Sequence, residues 1–321
     1  MSYSSIFPFK HSGPDLLDCC NGLLLFVQRP KPQFYVCNPT IRQCVPVPLP
    51  PPSVHLSSLY ASLAFDPCES IHYRVIVLSI TTQPQCLHIF YSQSGAWMTH
   101  EVHIELPSSG KCFQLIRHSV YLKGILYRLS LLNKVIFFDL NRLTIRVINN
   151  PCKTPPPQPG CIAVSNGLLS YVKREKDYVC VWLLDDPNEP NEWSLKYKLC
   201  FDNLLDCVLE KKMGGILVWL HPCGFHPTED ILFMSSASSI LAYHIGIGRI
   251  QEVRSFSFLG EVSGGYFFPV FMHRNTFVTL KNWCRGTTTE INVSTDLINY
   301  VVSCHILVMF LCWFCMSSLC W

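Results

Sequence analysis

Apolar positions along this chain fall into runs of four to seven residues rich in Val, Ile, Leu, Phe and Tyr, each bounded by Asn, Gly, Pro or Asp. Runs of that length and composition read as β-strands separated by turns. Helical periodicity is scarce. The strands also recur as a phrase. Its fullest form is Cys20-Asn21-Gly22-Leu23-Leu24-Leu25-Phe26, then Phe34-Tyr35-Val36-Cys37-Asn38 and a polar turn.

Related copies follow. Asn166-Gly167-Leu168-Leu169 repeats the opening with Tyr178 to Leu184 as partner strand, and Lys123-Gly124-Ile125-Leu126-Tyr127 is a looser copy partnered by Val135 to Leu140. Gly215-Ile216-Leu217-Val218-Trp219 reads as another opening, answered by Ile240 to Ile245. Tyr73 to Ser79 and Leu87 to Tyr91 form a further pair, closed by Ser92-Gln93-Ser94-Gly95-Ala96-Trp97. The period is about 45 residues with several strands per unit, which is the spacing of propeller blades. One four-stranded sheet cannot cover both of its faces, so it stacks on neighbours around an axis. The expected fold is all-β: a β-propeller-like ring of about six four-stranded blades, followed by an apolar C-terminal tail long enough to form a helix. The expected organisation is a short lead over residues 1–17, the propeller domain over 18–281, and a divergent tail over 282–321. Closure by pairing of Leu23 to Phe26 with strands near residues 266–280 is left open by the sequence.

Composition narrows the function. The chain has 321 residues, 49% of them hydrophobic and 15% charged, which supplies a core and argues against disorder. A net charge of +3 is too small to imply a nucleic-acid partner, and the basic run Lys173-Arg174-Glu175-Lys176 reads as a solvated turn. The N-terminus, Met1 to Lys10, is short, mixed and broken by Pro8, unlike a secretory leader. A cytoplasmic or nuclear location follows as the expectation. There the 18 cysteines stay reduced and pack as small hydrophobes, as at Cys37, Cys86 and Cys180. Cys312 and Cys315 have CxxC spacing, but no second pair completes a metal site.

Enzyme signatures are poor. The nucleophile elbow, phosphate loop, HExxH pair and dinucleotide fingerprint are missing. His221, Cys223, His226 and Asp230 form the densest polar cluster, and the stretch reads as an exposed loop rather than a Cys/His nucleophile pair. No catalytic, cofactor or metal residues are expected. The Pro-rich stretches 46–52 and 151–159 read as connections between blades, with ligands for an SH3-type partner as the alternative. Trp97, Trp193 and Tyr266 are aromatic anchors of the kind interfaces use, with packing at blade edges as their expected role.

The ordered series of these residues resembles a known family. Asn21-Gly22-Leu23-Leu24-Leu25, Phe34 to Gln43, Leu63-Ala64-Phe65-Asp66-Pro67, His72-Tyr73-Arg74-Val75, Ile89-Phe90-Tyr91-Ser92, Gly95-Ala96-Trp97, Phe138-Asp139-Leu140 and Trp193 to Tyr197 are similar to the F-box-associated, kelch-like region of plant F-box proteins. The resemblance covers roughly residues 18 to 281. It implies a protein-binding propeller that captures an unknown target, while an F-box of about three helices docks a Skp-type adaptor of an SCF ubiquitin ligase for ubiquitin-dependent degradation. Pro14-Asp15-Leu16-Leu17 is similar to the opening of an F-box, yet about 17 residues precede the first expected strand. This chain by itself is therefore expected not to dock the adaptor.

The last 22 residues, Tyr300 to Trp321, contain no Asp, Glu, Lys or Arg. A helix of that length spans roughly 33 Å, enough for a bilayer core. A membrane-tethered interaction protein, held by residues 300–321, is the alternative reading.

Overall fold

A computed structural model of the chain describes residues 15–28, 33–51, 61–79, 85–102, 115–130, 134–152, 160–186, 193–204, 220–235, 239–255, 270–272, 276–284 and 306–308. The described residues form five four-stranded sheets. The first contains β1 (Asp15–Cys20), β2 (Leu23–Gln28), β3 (Gln33–Asn38) and β4 (Gln43–Pro46). The second contains β5 (Ala61–Ala64), β6 (Arg74–Ser79), β7 (Cys86–Tyr91) and β8 (Ala96–Glu101). The third runs through β9 (Leu115–Leu122), β10 (Ile125–Ser130), β11 (Lys134–Asp139) and β12 (Thr144–Asn149). The fourth holds β13 (Cys161–Ser165), β14 (Leu168–Glu175), β15 (Tyr178–Leu184) and β16 (Trp193–Cys200), and the fifth β17 (His221–Phe225), β18 (Ile231–Ser235), β19 (Ser239–His244) and β20 (Arg249–Ser255). Every sheet is a meander in which sequence order equals spatial order. That is the construction of a propeller blade.

The recurring phrase is the turn between the first two strands of a blade. Asn21 and Gly22 have φ of 44° and 93°, Lys123 and Gly124 49° and 80°, Asn166 and Gly167 49° and 74°. Two successive positive φ values make the tight hairpin whose twist matches the strands, and Asn-Gly reaches that geometry at least cost.

Several expectations are corrected. Five blades are described where about six were expected, and residues 276–284 run as a strap against the first blade, held by Asn38 and Gln43. Strand β1 begins at Asp15, so Asp15 to Leu17 belong to the first blade and not to a lead. Leu23 to Phe26 lie in β2, bonded on one side to β1 and on the other to β3, which leaves no edge for a closing strand. Gly215 to Trp219 and Cys312 with Cys315 lie outside the described residues. The second strand of the fifth blade is Ile231–Ser235 instead. Cys37 and Cys44, directly opposite in the β3–β4 register, are joined as a disulfide, so Cys37 is no free packing thiol. Lys173 is buried, and the Arg174 guanidinium lies 3.4 Å over the Phe201 ring, so this basic run is only partly solvated. Within the apolar tail the described residues Ile306–Val308 are a strand paired with Val270–Met272, not a helix. Among the described residues no helix is long and apolar enough to cross a membrane.

The chain divides into two compact units. One comprises Met1–Ser130, Ile136–Val147 and Phe271–Leu307; the other comprises Leu131–Val135, Ile148–Val270 and Val308–Trp321. In the first unit the leading strands β1, β5 and β9 lie beside one another around a buried carboxylate. Asp18 Oδ2 accepts hydrogen bonds from the Leu63 amide of β5 (2.8 Å) and from the Ser119 hydroxyl of β9. Its Oδ1 is buried with no partner among the described residues. Burial lifts the Asp18 carboxyl to about 6, against the opposing pull of Ser119, Leu63 and the Arg128 cation. Arg128 is itself 2% exposed and donates to the Ser62 hydroxyl at 3.0 Å. In the second unit Val172, Val181, Phe201, Leu220, Leu232, Met234 and Leu241 pack in one apolar cluster.

Candidate functional site

A meander returns the turns after its first and third strands to the same end of the sheet. In the first unit these ends coincide, since Asn21 Nδ2 of the first blade donates to the Phe65 carbonyl of the second at 2.7 Å, joined there by the Cys20 thiol at 3.2 Å. The β5–β6 connection at this end is long. It runs from Phe65 to Tyr73, and hydrogen bonds order it from within: Asp66 Oδ1 accepts from the Cys68 amide (2.9 Å), the Asp66 carbonyl accepts from Glu69 and Ser70, and Ser70 Oγ accepts from the His72 amide. Its far end is pinned where the Tyr73 amide donates to Ser92 Oγ (2.8 Å) and the Ser92 amide donates back to the Tyr73 carbonyl. Rigid sheets that present ordered loops are the usual platform for recognition.

Between this connection, Tyr91 to Gln93 and Tyr121 lies a cleft of about 220 Å³. Its wall carries a chain of polar groups. An Arg74 Nη2 hydrogen donates to the Tyr121 hydroxyl at 2.9 Å, and that hydroxyl donates to Glu69 Oε2 at 2.8 Å. Burial and the bond to Glu69 push the Tyr121 phenol up to about 12, so it stays protonated and keeps both roles at neutral pH. The Arg74 guanidinium also stacks 5.8 Å from the Tyr121 ring centre. Tyr121 thus holds a cation and a carboxylate a hydroxyl's width apart. Such a pair matches a peptide unit, with carbonyl to Arg74 and N–H to Glu69. Ile71, 65% exposed on the same connection, adds an apolar contact beside the cleft.

A strap of residues 276–284 crosses the same end. Asn38 Nδ2 donates to the carbonyls of Thr276 (3.0 Å) and Val278 (2.9 Å), and the Gln43 amide exchanges two hydrogen bonds with the main chain of Leu280. The strap then reaches the second blade, where Trp283 Nε1 donates to the Ser92 carbonyl and the indole lies flat against Gly95. Gly95 has φ of 72°, and a Cβ there would come within 2.3 Å of the ring, so only glycine fits.

The polar cluster expected to be a loop is mostly strand. Residues 221–225 form β17, with Cys223 buried and its thiol pushed well above its usual range by burial. Burial and the nearby Arg174 lower His221 to about 4. His226 Nδ1 accepts from the Glu229 amide at 3.0 Å and closes the next turn, while Asp230 pairs with Lys196 at 2.7 Å. His226 and Asp230 are thus held in turn and ion-pair contacts, and Cys223 is packed inside the fifth blade. Trp97 packs against Phe34 and Phe90 and donates to the Pro48 carbonyl; Trp193 packs on Tyr171 and donates to the Asn149 carbonyl. Both are edge-packing residues. Tyr266 lies outside the described residues. The Arg74–Tyr121–Glu69 group escaped the sequence reading. Its one signal was Arg74 within the phrase His72-Tyr73-Arg74-Val75, and nothing in sequence ties that phrase to Tyr121.

Five four-stranded meanders, with ordered loops gathered at one end of the first unit, are the blades of a β-propeller. The family described as F-box protein At3g26010-like, beta-propeller, matches residues 2–241, and the chain belongs to it. Among curated proteins it is similar to F-box protein At5g03970 of Arabidopsis thaliana, at 23% identity over 251 residues. The match covers 74% of this chain and 58% of the relative, so the chain spans a little over half of the relative's length. Among solved structures it is similar to YCF48 bound to D1 peptide, with TM-score 0.43 and 13% identity over 84% of this chain and 75% of that one. Porphyromonas gingivalis dipeptidyl peptidase 4 aligns with TM-score 0.37 and 10% identity over 77% of this chain and 40% of that one.

Proposed function

We propose that this propeller is the non-catalytic target-recognition module of an F-box-type receptor serving an SCF ubiquitin ligase, and that a loop of the target docks in the Arg74–Tyr121–Glu69 cleft. Family membership supports the receptor role. The observation that carries the docking site is the Tyr121 hydroxyl, which fixes a cation and a carboxylate side by side in the wall of a cleft. The buried thiols support a non-catalytic module, because burial pushes Cys152 and Cys161 up to about 12 and makes them packing groups rather than nucleophiles. The reading places the protein in the cytoplasm or nucleus. Its rival, a tail-anchored membrane protein, rests on the uncharged stretch 300–321.

The test places a photo-crosslinking residue at position 71, beside the cleft, in cells treated with a proteasome inhibitor. The expected result is one dominant partner, lost in Arg74→Glu, whose half-life lengthens when the chain is depleted. A crosslink that persists in Arg74→Glu rejects the cleft. A partner whose turnover ignores depletion rejects the ligase role. A fluorescent reporter carrying residues 300–321 is expected to stay diffuse, and retention on membranes would favour the anchored alternative.

A further inference from the structure

The side chains that hold the strap sit in a loop closed by sulfur. Asn38 Nδ2 donates to the Thr276 and Val278 carbonyls, Thr40 Oγ1 accepts from the Thr276 amide, and the Gln43 side chain both accepts from and donates to the main chain of Leu280. All three residues lie between Cys37 and Cys44, which are joined across the β3–β4 register. Asn38 and Gln43 are the next facing pair after the disulfide, so that bond fixes the spacing of the two amides that grip Thr276, Val278 and Leu280. Thr276 and Leu280 are buried in this grip. The sheet itself has other support. β3 is paired with β2 from Gln33 to Cys37, and with β4 at Tyr35–Pro46 and Val36–Val45. Opening the disulfide therefore loosens the hairpin end, residues 38–43, and leaves the blade in place.

We infer that Cys37 and Cys44 form a redox-sensitive latch: as a disulfide they lock Asn38, Thr40 and Gln43 onto the strap, and as a dithiol they let residues 276–284 loosen from the first blade. Two further observations support it. Among the described residues Cys20, Cys68, Cys180, Cys223 and Cys284 are thiols. An isolated disulfide in a chain whose other cysteines are reduced is of the reversible, redox-sensing kind. Cys44 is partly exposed and Cys37 is buried, so one sulfur faces an incoming thiol and the other is the leaving group. A glutathione thiolate attacks Cys44 Sγ, the S–S bond breaks, and Cys37 leaves as a thiolate that takes up a proton. A second glutathione thiolate attacks the mixed disulfide and releases Cys44, which is protonated in turn. Two glutathione thiols are oxidised to glutathione disulfide as the cystine takes up two electrons, and glutathione disulfide drives the reverse. The inference concerns the strap and stands independently of the cleft.

The test equilibrates the whole chain with glutathione disulfide or with reduced glutathione, and reads the state of the pair from the mass of the peptide spanning residues 37–44. Reduction is expected to speed amide exchange about tenfold at Thr276 and Leu280, whose N–H groups are bonded to Thr40 and Gln43. Exchange along β2 is expected to stay unchanged. This comparison uses the wild type alone, so folding of a variant does not enter. The double variant Cys37→Ser, Cys44→Ser is expected to exchange at the reduced rate in both buffers, which separates the pair from Cys284 on the strap itself. Equal exchange at Thr276 and Leu280 in the two buffers overturns the inference. So does a pair that stays reduced in glutathione disulfide or stays oxidised in glutathione, or a strap that still responds to the buffer in the double variant.

Discussion

The second and fifth blades solve the same problem at their first turn in different ways. Both lack the Asn-Gly hairpin, both receive a hydrogen bond from the Asn-Gly turn of the preceding blade, and both close on a side-chain acceptor. In the second blade Asn21 Nδ2 reaches the Phe65 carbonyl and Asp66 closes the turn; in the fifth the Asn166 main-chain amide reaches the Pro227 carbonyl at 2.7 Å and His226 closes it. The charges diverge. Asp230 is neutralised by Lys196, which with the Tyr197 hydroxyl holds its carboxyl below the usual range. Glu69 and Arg74 are instead kept apart by the Tyr121 hydroxyl beside a cleft. The same meander therefore yields a closed turn where the connection is short and a cleft where it is long.

What lies beneath the two turns differs as well, and the largest expected effects test that. Leu232→Ala, in the apolar cluster beneath the fifth-blade turn, is expected to cost about 2–5 kcal/mol of unfolding free energy. Asp18→Ala, beneath the second-blade turn, strips buried partners from the Leu63 amide and Ser119 and is expected to cost about 2–4 kcal/mol. Chemical denaturation of the whole chain measures both. Their separate characters appear with pH. The folded Asp18 carboxyl titrates near 6 against 3.8 unfolded, so its contribution is complete below pH 3.8 and is lost as pH rises through 6. The loss amounts to about 3 kcal/mol by linkage. The stability of the wild type relative to Asp18→Asn should fall across that window, whereas a flat difference would reject the raised carboxyl.

Smaller effects address the turns themselves. Asn21→Gly keeps the positive φ but loses the side-chain bond to Phe65, and is expected to cost about 1–2 kcal/mol. Asn166→Gly keeps its main-chain bond and is expected to stay within about 0.5 kcal/mol of wild type. Equal losses would show that the two links are the same in kind. Tyr121→Phe, which leaves Arg74 and Glu69 without their bridge, is expected to cost about 1 kcal/mol, and Lys196→Met, at a partly exposed ion pair, about 0.5 kcal/mol.

Strands β2, β10, β14 and β15 were readable because everything that makes them is local: an Asn-Gly or Lys-Gly turn, then alternating or continuous apolar residues. Strand β17 reads as a loop in sequence because it contains Pro222 and Gly224. The structure places a register shift between those two residues on an edge strand, where a missing N–H and a missing side chain are tolerated. The cleft was invisible for another reason. Glu69 and Arg74 meet Tyr121 only when the second and third blades stand side by side, and they lie 52 and 47 residues from it in the chain.

By itself the sequence determined the blade: turn chemistry and strand composition act over a few residues, and they specify a four-stranded meander wherever they recur. It also carried the family, through an ordered series of short phrases. Only the tertiary structure decided how many meanders are described, that residues 276–284 lie as a strap against the first two blades, and which side chains face each other across the turn end. Those outcomes depend on contacts between distant segments, such as Asn38 with Thr276 and Trp283 with Gly95. Their free energy arises only once loop closure has brought the segments together.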